Sequence, residues 1–169
     1  MRPLIVACLL LLQAGAFTVF AQSGTPVLYS AKNTVYQQDF NALPNSGNFS
    51  LTGKGPFDVS SAPFSINALA GWSIMQKAGS ASNALLSIGT GSSTAAGVYS
   101  VGATGSTDRA LGLLAAGTGV YAIGIRLTNA TGSSLNTVSG SITVEQWRKG
   151  GSGNRNSLNG KYAVGLIDG

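Results

Sequence analysis

Along much of this chain, apolar and polar residues change places every second position. Tyr121, Ile123, Ile125 and Leu127 alternate with Ala122, Gly124, Arg126 and Thr128. That period predicts a strand with one buried face. "NATG" at 129–132 is a turn signal. After it Val138, Gly140, Ile142 and Val144 alternate with Ser139, Ser141, Thr143 and Glu145. The two runs together predict an antiparallel hairpin. Shorter runs predict strands at Val27–Tyr29, Thr34–Phe40, Phe49–Thr52, Trp72–Gln76, Leu85–Ile88, Val98–Gly102 and Lys161–Leu166. The nearest approach to a helical pattern, Arg109 to Ala116, is too short to stand alone. Many short strands divided by Gly, Ser and Asn turns predict an all-β fold, an antiparallel two-sheet sandwich of jelly-roll or immunoglobulin-like type.

Composition agrees. Gly, Ser and Thr supply 58 of 169 residues, types suited to turns and exposed strand faces more than to helices. Prolines 26, 44, 56 and 63 all precede residue 64, so the first third is expected to be rich in loops and edge strands. "GGSGNRNSLNG" at 150–160 reads as a mobile polar loop.

The N-terminus changes the picture. Met1-Arg2 is a short basic start, the residues through Phe20 are mostly apolar, and Val19-Phe20-Ala21 offers small residues where a signal peptidase reads. Residues 1–21 are therefore expected to be a signal peptide and 22–169 a single β-sandwich domain, secreted or displayed at the cell surface. The apolar run is short for a span and is interrupted by Gln13 and Gly15, so no stable membrane span is expected after cleavage. Ile5-Val6-Ala7-Cys8 has the letters of a lipobox, but Cys8 precedes most of the apolar run. The closing "KYAVGLIDG" resembles the start of a strand and turn, so the C-terminal part of the domain is expected to be incomplete.

Cleavage would remove the one cysteine, and the chain has no histidine. Ser-His-Asp triads, cysteine nucleophiles and ordinary zinc sites are then excluded. Nine Lys/Arg against five Asp/Glu leave a net charge of +4 after residue 21, too dilute for a nucleic-acid surface. Paired carboxylates would be needed for glycosidase chemistry. Asp108 with Glu145 is the most interesting pair, but Arg109 and Arg148 stand beside or close to them, and a nearby cation disfavours a protonated acid. Asp108, Arg109, Glu145 and Arg148 are instead expected to form structural salt bridges, Asp108 with Arg148 and Arg109 with Glu145. No catalytic residue and no metal site is assigned. Calcium is the only cofactor weighed, on Asp39 and Asn41, against a strand end that buries Phe40 and Leu43. "GTGVYA" at 117–122 has dinucleotide-motif letters, but a strand follows where a helix is required, so it reads as a hairpin turn. Arg148, Lys149, Arg155 and Lys161 make a basic stretch with Trp147 beside it. Trp147, Lys149, Arg155 and Lys161 are the candidate ligand-binding residues, for anionic groups or sugar faces on a surface polymer.

Two blocks, "YSVGATGSTDRALG" at 99–112 and "RLTNATGSSLNTVSGSITVEQWRKGG" at 126–151, together with "DFNALPNSG" at 39–47 and "GWSI" at 71–74, resemble a domain common in secreted and surface-exposed bacterial proteins. The likeness runs from Asp39 to Tyr162, with Ala130 and Val144 as minor departures. It implies a β-sandwich module, often found in larger exported proteins ahead of nuclease, phosphatase-like, lamin-tail-like or sorting domains, with no ligand or catalytic set to carry over. The expected function is a non-catalytic extracellular module that binds carbohydrate or another surface polymer. The alternative is a structural or accessory domain of a larger secreted hydrolase.

Overall fold

Residues 24–79, 83–117, 119–148, 160 and 164 are described by a computed structural model, with the backbone alone for 83–85. Among them, nine strands and one short 3-10 turn follow in order. These are β1 (Val27–Tyr29), β2 (Asn48–Thr52), β3 (Phe57–Asp58), the 3-10 turn Asn67–Leu69, β4 (Trp72–Ala78), β5 (Asn83–Gly89), β6 (Gly97–Val101), β7 (Ala110–Leu114), β8 (Val120–Ile125) and β9 (Leu127–Asn129). The fold is mostly strand, with almost no helix. β2-β5-β6-β7 form one sheet, β3-β4-β8 a second, and β1-β9 a third pair.

Local sequence explains most strands. In β2, Phe49 and Leu51 turn inward while Ser50 and Thr52 turn out. β6, paired with β5 and β7, is buried at all five positions. Leu51, Leu86 and Val98 from one sheet, Ile74 from the other, and Leu43, Val59, Phe64 and Leu69 from the connecting segments form one core cluster. Removing a side chain of this size from water contributes roughly 1.5–3 kcal/mol.

Several expectations need correction. Thr34–Phe40 is no strand: Gln38 Oε1 accepts from the Phe40 amide at 3.0 Å within the segment, and Gln38 Nε2 donates to the distant Ala68 carbonyl at 2.9 Å. The anticipated hairpin is absent. Its first run splits at Arg126 into β8, which pairs with β4, and β9, which pairs with β1. Its second run carries no strand assignment and stands exposed at Val138 (74%), Ile142 (84%) and Val144 (66%). β8 is the last strand of the β3-β4-β8 sheet, so an open edge alone does not bring the second run into a ladder. The pairing is also not wholly antiparallel, since β5–β6 and β1–β9 are parallel. The connection from β7 to β8, in which the Gly119 amide donates to the Ala116 carbonyl at 3.1 Å, joins strands of different sheets, so it is no hairpin. β7 takes the place of the near-helical run, because its backbone completes the β6 ladder. The predicted signal peptide, the loop expected at 150–160 apart from Gly160, and the strand expected at Lys161–Leu166 apart from Val164 lie outside the described residues.

Candidate functional site

The site grows from a short crossover. β5 and β6 run parallel, yet only residues 90–96 join them, where a parallel connection ordinarily takes a dozen residues or more. The joining sequence, "TGSSTAA", is all small side chains, which lets it double back close to the sheet. Tyr99 of β6 fastens it, its hydroxyl donating to the Ala95 carbonyl at 2.7 Å and meeting Ser93 Oγ at 2.9 Å.

Beside this crossover, β6 leaves the sheet through a turn at 102–106 and returns as β7. Arg109 lies at the return and is only 3% exposed. Its Nε donates to Ser100 Oγ at 2.9 Å, Nη1 to the Ala103 carbonyl at 3.3 Å, and Nη2 to the Ser100 carbonyl. Asn41 Oδ1 accepts from the Arg109 amide at 3.0 Å, tying the turn to the "DFNAL" segment. Gly102 makes the seat possible. A Cβ there would stand 2.5 Å from Arg109 Nη1 and 2.5 Å from the Asp108 carbonyl. Neighbouring residues of an extended chain face opposite sides, so Asp108 is exposed while Arg109 is buried.

A cleft of about 230 Å³ opens between the crossover and this turn. Asn45, Thr90, Ser92, Thr104 and Arg109 are its polar lining residues, over a floor that includes Ile88 and Gly102. No carboxylate is among them.

The second sequence block reaches the same crossover from outside. Arg148 Nη1 donates to the Ser92 carbonyl at 3.1 Å and to the Ser93 carbonyl. Gly91, at φ +85°, lies under Trp147, where a Cβ would come within 2.7 Å of the Trp147 carbonyl. The Trp147 indole N–H donates to Glu145 Oε2 at 2.8 Å, which fixes the ring while leaving the residue 43% exposed.

The two blocks thus meet through the crossover, in place of the two expected ion pairs. Arg109 bonds Ser100 and Ala103, Arg148 bonds Ser92 and Ser93, and Glu145 holds Trp147. Trp147 is the one candidate ligand-binding residue among those described, as Lys149, Arg155 and Lys161 lie outside them. Asp39 turns its carboxylate to its own loop, Oδ1 accepting from the Asn41 amide at 3.0 Å. No group of three or more His, Cys, Asp or Glu able to hold a metal is found among the described residues, and no helix among them is long and apolar enough to cross a membrane.

Sequence reasoning passed over Asn45, Thr90, Ser92 and Thr104. The available signal was indirect. "GATG" at 102–105 marks a tight turn, and the unbroken run of small residues from 89 to 97 marks a segment pressed against its neighbours. No family model, no curated protein and no solved structure matches the chain.

Proposed function

We propose that this protein is a non-catalytic, exported β-sandwich module that binds the saccharide surface of a polymer. Export rests on the reading of residues 1–21 as a signal peptide. The sandwich reading is supported by one core cluster fed from the β2-β5-β6-β7 and β3-β4-β8 sheets.

The observation that carries the binding reading is the cleft with Trp147 at its crossover. Polar lining groups such as Asn45, Thr90, Ser92 and Thr104 suit hydroxyl groups. The half-exposed indole, held by Glu145, offers a rigid apolar face for a sugar ring. The described residues offer no His or Cys for nucleophilic or general-base work.

The test is retention of the secreted chain on a panel of soluble and insoluble polysaccharides. Retention on at least one polymer is expected, and Trp147→Ala is expected to weaken it about tenfold, or about 1.4 kcal/mol. No retention on any member of the panel would remove the saccharide reading.

A further inference from the structure

The geometry points to an acidic polymer as the ligand, with a carboxylate or sulfate substituent seated in the cleft against Arg109. This rests on the saccharide-binding reading above and names the class of saccharide.

A guanidinium is a permanent cation with five N–H donors. Arg109 is almost wholly buried, and its side-chain acceptors are all neutral: one serine hydroxyl and two backbone carbonyls. Burying a charge without a counter-charge costs free energy that neutral dipoles return only in part. The obvious sources of a counter-charge do not supply one. Asp108, its neighbour in sequence, is exposed, and Glu145 accepts from the indole of Trp147. The cleft that Arg109 lines holds no carboxylate. Three of the five N–H groups are engaged, which leaves two for a ligand.

Arginine matches planar and tetrahedral oxyanions because its fork donates two parallel hydrogen bonds. Thr90, Ser92, Thr104 and Asn45 add neutral donors around the rim. Size narrows the ligand further. About 230 Å³ is below the roughly 300–1,000 Å³ of ordinary small-molecule pockets. It suits one charged substituent, with the rest of the polymer outside, along the crossover and Trp147.

Arg109 variants risk the fold, so the test uses exposed positions. Thr104→Glu places a negative charge at the cleft. Thr52→Glu makes the same charge change at the far end of the sheet, where Thr52 pairs with Asn83 at the start of β5. That lies about six residues, or about 20 Å, from the cleft end of the strand. Affinity electrophoresis of the full chain, in about 0.15 M NaCl, would compare alginate (carboxylate), dextran sulfate (sulfate ester) and neutral dextran. The expected result is binding to alginate or dextran sulfate at least about tenfold tighter than to dextran. Thr104→Glu should weaken that binding about tenfold, and Thr52→Glu by less than about twofold. The preferred acidic polymer then identifies the substituent. Equal retention on dextran would overturn the acidic class while leaving the saccharide reading standing. Equal weakening by both variants would show general charge attraction and overturn the seat at Arg109. No retention on the three polymers would overturn the proposal, and an empty neutral panel beside it would take the saccharide reading too.

Discussion

Arg109 and Arg148 do similar chemistry in two different settings. Each donates from its guanidinium to two backbone carbonyls, Arg109 to Ser100 in β6 and Ala103 in the turn after it, Arg148 to Ser92 and Ser93 in the crossover. Arg109 leads directly into β7 and is almost wholly buried at the base of the cleft it lines. Arg148 ends a segment, 130–148, that carries no strand assignment and is exposed at most positions. The hydrogen bonds look alike, but their contributions differ. A buried carbonyl that loses its donor has no water to turn to, whereas an exposed one does. Burial, more than the count of bonds, makes the first arginine a structural element and the second an adjustable one.

This contrast can be broken by experiment. Arg109→Met keeps much of the apolar stem but strips three donors from a buried site, and should lower unfolding free energy by about 3 kcal/mol. Urea denaturation measures this, and a loss below about 1 kcal/mol would mean the seat is wetter than its 3% exposure implies. Arg148→Met should cost about 0.5 kcal/mol or less in the same assay, as exposed contacts usually do. Its effect should appear instead as faster amide exchange in the 90–96 crossover, and unchanged exchange there would contradict the clasp. Ile142→Ser should change stability by no more than about 0.5 kcal/mol. A larger loss on unfolding would show that the 138–144 run packs against something, against its 84% exposure.

Much of the fold was legible in the sequence. Val27–Tyr29 was read at its observed bounds, and the strands around Phe49, Trp72, Leu86 and Val98 were read to within one or two residues. In β1 and β2 burial alternates with the side chains, and β4 and β6 announce themselves as short apolar runs bounded by glycine. β7 was missed because "ALGLL" has no polar residue to mark an outer face and sits inside the near-helical run at Arg109–Ala116. Its glycine has a tertiary reason: a Cβ at Gly112 would stand 2.5 Å from Val101 Cγ2 across the ladder. The candidate site was legible only in outline. "STDRALG" and "EQWRKGG" were singled out as belonging together, and both arginines do reach the same crossover region. The expected links were charge with charge, whereas the observed ones run from charge to backbone carbonyl. Side-chain letters advertise ion pairs, but every residue carries a carbonyl, so no pattern of letters marks which carbonyl will serve.

By itself, then, the sequence determined the all-β character and the absence of histidine and of any cysteine beyond Cys8. Tertiary structure decided which edges pair. The run from Val120 to Asn129 divides between two partners, β4 and β1, while the equally regular run at Val138–Val144 has no ladder. Period two specifies a face. The hydrogen bonds that join strands come from the backbone, which is nearly the same at every residue, so the choice of edge falls to whichever neighbour the packed core leaves open.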